Sequence, residues 1–138
     1  MADSSTLLSI VQSACQHGCS VAGNCQPTTV KINPADLVSA CRQLHTNPSS
    51  YMDMLISITG VDNGAGKGTI DIVYHLSSIP YNLQLALLVT VPRDSPEVES
   101  VTQVWKAADW HERETFDLLG VRFLNNPDLR RILLPADC

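Results

Sequence analysis

The chain has 138 residues and a formal net charge of −5, with 44% apolar and 17% charged residues. Against about 100–200 residues per domain, this length favours one domain, with or without a tail. The apolar content excludes an acidic disordered chain, and the lack of a Lys- and Arg-rich stripe argues against nucleic-acid binding. The sequence therefore predicts a compact acidic globule that needs no disulfide or metal to fold.

We expect neither a secretory signal nor a membrane-spanning segment. Its N-terminus lacks a basic region followed by a long apolar run, which a secretory signal needs. The longest apolar stretch, Leu83 to Val91, is interrupted by polar residues and is far shorter than the roughly 20 residues of a spanning helix. Five cysteines in such a chain indicate reduced thiols in the cytosol.

The first half of the chain predicts a helix, two short strands and a second helix. Gly18 ends the first helix, and Ser20–Ala22 and Thr28–Ile32 are the two strands. Asn33 can cap the second helix, and Pro34 suits its first position because proline lacks the N–H that a helix start leaves unpaired.

Three successive runs with period-two alternation predict an antiparallel meander with one buried face. The runs are Met52–Ile58, Ile70–Tyr74 and Leu83–Val91. The third run is apolar on both phases, which predicts an interior strand. Between the first two, the Gly-rich stretch 64–69 superficially resembles a phosphate loop, but Val61 and Gly68 occupy the two positions where the pattern needs Gly and Ser or Thr. We therefore expect a hairpin loop.

Two helices, Glu97–Trp105 and Asp109–Leu119, are predicted near the C-terminus, followed by loop. Asp109 and Glu112 have the spacing of a capping box, and Gly120 suits a C-terminal cap. The predicted order is α-β-β-α-β-β-β-α-α. It indicates a two-layer α+β fold with the helices packed on one face of a mostly antiparallel or mixed sheet.

No catalytic or metal-binding motif stands out in the sequence. His111 lacks a second ligand four residues on, where Thr115 stands. Cys15, Cys19 and Cys25 are spaced by four and six residues without a C-x-x-C pair. A stand-alone metal or redox protein that uses these three thiols remains an alternative. We expect no active site in this chain.

The candidate site is a surface for another protein, built from two parts. On the last helix, Trp110, Arg113, Glu114 and Asp117 share one stripe, and interface cores favour Trp and Arg, although charged faces are usually only solvated. After a domain spanning 1–123, the segment 124–138 combines arginines with large apolar residues that a free loop exposes at a cost. Its predicted interface residues are Asp128, Leu129, Arg130, Arg131, Ile132 and Leu133.

The same region resembles a known family. The runs ADWHERETFDLLGVRF from Ala108 and NPDLRRIL from Asn126 are similar to the signature of the 30-kDa subunit of respiratory complex I, which in bacteria is the C subunit of the proton-pumping NADH-quinone oxidoreductase. The resemblance covers roughly residues 28–135. Asn126 replaces the family's usual His, and the chain stops at Cys138 where the family continues, so we expect a truncated chain or a short relative.

The resemblance implies a non-catalytic structural subunit of the hydrophilic peripheral arm, docked on the 49-kDa-type subunit near the quinone site. It implies that FMN, the iron-sulfur clusters and the quinone belong to partner subunits, and that this chain binds no cofactor. It implies a place on the cytoplasmic side of the plasma membrane, with membrane contact only through partners. The homologous subunit of a membrane-bound [NiFe] hydrogenase or formate hydrogenlyase is the alternative within the same fold.

Overall fold

The computed structural model describes residues 4–16, 18–21, 28–48 and 50–126. These residues fold as three α-helices and seven strands, with a 3-10 turn before the second helix. In chain order they are α1 (Ser4–Ala14), β1 (Cys19–Val21), β2 (Thr29–Ile32), the 3-10 turn (Pro34–Asp36), α2 (Leu37–Thr46), β3 (Met54–Asp62), β4 (Thr69–Ser78), β5 (Leu83–Pro92), β6 (Glu97–Glu99), α3 (Ala108–Leu119) and β7 (Arg122–Leu124).

Five strands form a mixed sheet in the order β1-β2-β5-β4-β3. The three long strands β3, β4 and β5 are antiparallel neighbours, whereas β2 runs parallel to β5. The predicted meander is therefore confirmed, although the buried phase of its first run is wrong, since Met54 and Ile56 are exposed and Leu55 is buried. The hairpin loop between β3 and β4 and the interior position of β5 are confirmed as well.

The core lies between one face of this sheet and the helices, as the period-two pattern predicts. Alternate residues of β4 and β5 are buried, and the helices supply the opposite layer. The innermost side chains are Leu7 and Val11 of α1, Leu37 and Leu44 of α2, Ala108 of α3, and Ile72, Tyr74, Leu85 and Leu87 of the sheet. This is the predicted two-layer α+β architecture.

The start of the second helical segment follows the prediction from its sequence. The Asn33 side chain accepts a hydrogen bond from the Ala35 N–H (2.9 Å), and Pro34 holds the next position. The cap opens the 3-10 turn, and α2 continues directly from it at Leu37.

The predicted helix Glu97–Trp105 is wrong. Its first three residues form β6, which pairs in parallel with β7, and turns follow up to the start of α3. The apolar residues Val98, Val101 and Trp105 recur at helical spacing, but Val98 is buried in a strand opposite Phe123. The strand pairing outweighs the local pattern, and the observed order is α-β-β-α-β-β-β-β-α-β.

Candidate functional site on the third helix

Helix α3 carries the predicted interface stripe, and its two ends have different caps. At its C-terminal end, Gly120 adopts a left-handed conformation (φ 73°) and donates its N–H to the Phe116 carbonyl (2.8 Å), which confirms the predicted cap. At its N-terminal end, the predicted capping box is wrong. Ala107 holds the cap position without a side-chain hydrogen bond, and Asp109 lies inside the first turn.

Glu112, the other half of the predicted capping box, points into the protein and is fully buried. Its Oε1 accepts hydrogen bonds from the Ser100 hydroxyl (2.7 Å) and the Asn126 side-chain amide (2.8 Å). Its Oε2 accepts one from the Val101 N–H (2.7 Å). One carboxylate therefore joins α3 to the residues that follow β6 and to the turn that follows β7.

The electrostatics of Glu112 reflect its burial. Desolvation raises the pKa of its carboxyl, and the hydrogen bonds from Val101, Ser100 and Asn126 partly offset that rise. Burial, together with the charge of Glu112, also raises the pKa of Tyr74 well above its usual range. Both groups lie inside the core, where no substrate can reach them, so their arrangement suits folding rather than acid–base chemistry.

The outer face of α3 is different, because its aromatic side chain faces solvent. Trp110 is 53% exposed, and the Arg113 guanidinium lies 5.8 Å from the centre of its ring, a cation–π distance. Arg113 Nε also lies 3.4 Å from Asp109 Oδ1, one helical turn earlier. Glu114 and Asp117 are half-buried on the same helix. The structure thus brings together the four predicted interface residues of this helix.

The other half of the predicted interface lies outside the described residues, which end at Asn126. Its members are Asp128, Leu129, Arg130, Arg131, Ile132 and Leu133. The predicted boundary between residues 123 and 124 coincides with the last strand rather than with a linker, since β7 spans Arg122–Leu124. The docking role of the segment stays a prediction.

Two of the three thiols of the alternative hypothesis lie within the described residues. Cys15 follows α1 and Cys19 begins β1, while Cys25 lies outside the described residues. Burial raises the pKa of Cys15 to about 11, with further contributions from the nearby charges of Asp36 and Cys19. The thiolate that nucleophilic or metal chemistry needs is thus disfavoured at this position.

Metal clusters and membrane spans are both missing from the described part of the chain. Within it, no three His, Cys, Asp or Glu side chains are grouped so as to hold a metal ion. Its helices are all too short or too polar to cross a bilayer.

Sequence reasoning found the outer stripe but missed the role of Glu112. A signal was present in the spacing of Ala108, Glu112 and Thr115, which are all buried and recur at i, i+4 and i+7. The acidic residue at the centre of that inner face is the unexpected one. It marks a polar anchor inside the core.

The fold defines a small α+β protein, and its candidate site is an exposed helix face that carries Trp110. A family model described as "Respiratory-chain NADH dehydrogenase, 30 Kd subunit" matches residues 30–138. The chain therefore belongs to this 30-kDa subunit family.

The curated relatives agree with that assignment. The C 2 subunit of NADH-quinone oxidoreductase from Rhizobium etli is 41% identical over 103 residues, which is 75% of this chain and 54% of the relative. The C subunit of the Salinispora tropica enzyme is 38% identical over 110 residues, covering 79% of this chain and 45% of the relative. The chain thus spans about half the length of these relatives.

Two solved structures share the fold. The trypsin-resistant fragment of Nqo5 superimposes with a TM-score of 0.63 at 23% identity, covering 80% of this chain and 89% of the fragment. A chain of the membrane-bound sulfane sulfur reductase, an archaeal respiratory membrane complex, gives 0.74 at 19% identity, covering 94% of this chain and 74% of that one.

Proposed function

We propose that this chain is a non-catalytic structural subunit of the peripheral arm of a proton-translocating NADH-quinone oxidoreductase. It docks on the 49-kDa-type subunit near the quinone site. It binds no cofactor itself, since FMN, the iron-sulfur clusters and the quinone belong to partner subunits. It lies on the cytoplasmic side of the plasma membrane and touches the membrane only through those partners. Membership of the 30-kDa subunit family supports this proposal.

The observation that carries the docking role is the exposed Trp110 on α3. A tryptophan with half its surface in water exposes a large apolar area that burial against a partner would stabilise. Arg113 stacks beside it and is held by Asp109, so the pair is already ordered before a partner arrives. Ordered Trp and Arg side chains are the residues that dominate binding energy in interfaces.

The hydrogenase-type assembly remains a second candidate because the fold alone does not separate respiratory complexes. The sulfane sulfur reductase chain superimposes well but at only 19% identity. Relatives at 37–41% identity, in contrast, are C subunits of NADH-quinone oxidoreductases. Sequence similarity therefore favours the NADH-quinone oxidoreductase.

Site-specific photocrosslinking from α3 tests the docking role. A benzophenone amino acid replaces Trp110 in the full chain within its native complex, and a matched variant carries it at Lys67, in the exposed β3–β4 hairpin loop. We expect crosslinks from position 110 to the 49-kDa-type subunit and none from position 67. A complex that assembles with crosslinks only from position 67 would contradict the docking site, and a complex purified without this chain would contradict the proposed function.

Metal and thiol analysis tests the alternative in which Cys15, Cys19 and Cys25 act together. We expect anaerobically purified protein to contain neither iron nor zinc. We also expect Cys15 to react with iodoacetamide about a hundredfold more slowly at pH 8 than a thiol of pKa 9.0, because a pKa of about 11 leaves far less thiolate. Near-stoichiometric metal, or a fast-reacting Cys15, would support the redox alternative instead.

A further inference from the structure

The two edges of the five-stranded sheet are unequal. One edge is β1, a strand of only three residues, whereas the other is β3 with nine. An edge strand presents a row of unpaired N–H and C=O groups, and proteins usually shield it by shortness, lysine, proline or bulges. The sequence of β3, MLISITGVD, contains neither lysine nor proline, and its one irregularity lies between Leu55 and Ser57.

The long edge also exposes apolar side chains. On β3, Met54 is 48%, Ile56 40% and Val61 47% exposed. Leu118, on the end of α3 that packs beside this strand, is 66% exposed. A long edge with exposed apolar side chains is a template for strand addition, and soluble proteins retain such an edge mainly where a partner covers it.

A groove beside the edge strand would receive the side chains of an added strand. It has a volume of about 260 Å³ and lies between β3 and α3, with Ile58 and Gly60 on one wall and Leu118 and Leu119 on the other. Gly60 allows this close approach, because a Cβ there would overlap Leu119 Cδ1. A sixth strand would lie about 4.8 Å beyond β3, with alternate side chains pointing into the groove.

We propose that the β3 edge and this groove bind an extended segment of a neighbouring subunit by strand addition. The segment carries apolar residues at alternate positions and a Lys or Arg that faces Glu114, which lines the groove. This inference rests on the proposed function in one respect only: that function identifies the partner as another protein of the same complex. The surface adjoins the Trp110 stripe because Glu114 belongs to both.

Charge favours a different protein over a second copy of this chain. An antiparallel pairing of two β3 strands would place both α3 helices on the same face of the joined sheet. Both Glu114 carboxylates would then approach one seam, and each chain carries a net charge of −5. Like charges at this contact oppose association of two copies. A basic segment of another protein would instead complement the Glu114 carboxylate.

A matched pair of lysine substitutions tests the inference in the assembled complex. Val61→Lys changes the long edge, and Val21→Lys changes the short edge at an almost identical exposure of 48%. We expect Val61→Lys to weaken retention of the chain in the complex by about tenfold or more, because a lysine on an edge strand opposes the addition of another strand. Val21→Lys should leave retention within about twofold.

Leu118→Lys provides a second variant if Val61→Lys fails to fold. It lies on a helix, one turn after Glu114, and the Glu–Lys pair at i, i+4 favours the helix while filling the groove with charge. We expect an unchanged melting temperature and the same loss of retention as for Val61→Lys. Equal retention of Leu118→Lys and the wild type would overturn the inference.

Hydrogen exchange separates this inference from the proposed function. In the wild-type complex, β3 amides should exchange about tenfold or more slowly than in the free full chain, while β1 amides should not change. If the β3 amides exchanged equally fast in the complex and in the free chain, strand addition would be overturned. The proposed function would still stand, because the chain remains bound. A free chain that sediments as a dimer, and as a monomer after Val61→Lys, would assign the edge to self-association and also overturn the inference. A wild-type chain absent from the complex would refute both.

Discussion

The inner and outer faces of α3 place their side chains in opposite environments. On the inner face, Glu112 is buried and accepts three hydrogen bonds from two other segments. On the outer face, Trp110 is exposed and Glu114 borders an open groove. A buried carboxylate must be hydrogen-bonded to be tolerated, whereas an exposed aromatic is stabilised only when another surface covers it.

Under the proposed function, α3 combines structural residues on its inner face with docking residues on its outer face. Changes on the inner face should alter the free energy of unfolding of the isolated chain. Changes on the outer face should alter assembly and leave that free energy almost unchanged. The two faces can therefore be tested separately.

The largest effect is expected from Glu112→Ala. The substitution leaves a cavity and removes the acceptor for the buried Val101 N–H and Ser100 hydroxyl, at a combined cost of about 3–5 kcal/mol. Chemical denaturation of the full chain measures it, and Glu114→Ala on the outer face is the control, with an expected change within about 0.5 kcal/mol. Equal costs for the two variants would remove the distinction between the faces.

The next effect concerns assembly rather than folding. Trp110→Ala should weaken association with the partner protein by about 2–4 kcal/mol, roughly 30-fold to 1,000-fold, because the proposal makes this side chain an interface hot spot. The free energy of unfolding of the isolated chain should hardly change. Titration of the 49-kDa-type partner and thermal melting would measure the two quantities. A large fall in melting temperature with assembly retained would place Trp110 among the folding residues.

Packing of α3 against β3 predicts a smaller cost for Gly60→Ala. The added methyl group overlaps Leu119 Cδ1, and moving this flexible side chain should cost about 1–3 kcal/mol. Adding Leu119→Ala should make the combined cost smaller than the sum of the two single costs. Gly66→Ala, in a loop with no atom close to the new methyl group, is the control and should be neutral.

The pH dependence of stability should reveal the buried carboxyl. Burial raises the pKa of Glu112 above its ordinary value of 4.5, so the folded chain binds this proton more tightly than the unfolded chain. Its contribution is therefore complete below pH 4.5 and is lost as the pH rises through the raised pKa. Within that interval the wild type should lose stability with rising pH more steeply than Glu112→Gln. Glu114→Gln should keep the wild-type slope, and identical slopes for all three proteins would contradict the assignment.

The smallest effect is expected at Asp109. It lies in the first turn of α3 and pairs with Arg113, and these two interactions should together contribute about 0.3–1 kcal/mol to stability. Asp109→Asn should lose as much stability as Asp109→Ala, because the charge and not a capping hydrogen bond matters. If Asp109→Asn or Asp109→Ser kept the wild-type stability, Asp109 would instead act as the N-terminal cap of α3.

The sequence predicts the elements whose signals are local. Alternation identified the β3–β5 meander, and the Asn33-Pro34 pair located the start of the second helical segment. Gly120 identified the end of α3 because the left-handed conformation there suits glycine. Each of these signals is contained in a few neighbouring residues.

The missed features depend on residues far apart in the chain. Strand β6 forms because Val98 lies opposite Phe123, 25 positions later, and three residues of strand leave little local pattern. The capping-box spacing misled in the same way, since Glu112 bonds Ser100 and Asn126 instead of the start of its own helix. The stripe on the outer face of α3 could be predicted from helical spacing alone. The protein that binds it could not.

Oxidative footprinting of the two tryptophans tests the central claim most directly. Trp105 is 5% exposed and donates its indole N–H to the Met52 carbonyl, whereas Trp110 is 53% exposed, so one chain contains both the control and the probe. Hydroxyl-radical labelling of the free chain should modify Trp110 and spare Trp105. In the assembled complex, we expect Trp110 to become as protected as Trp105. Unchanged labelling of Trp110 in a chain that is bound to the complex would contradict the claim that the outer face of α3 is the docking surface.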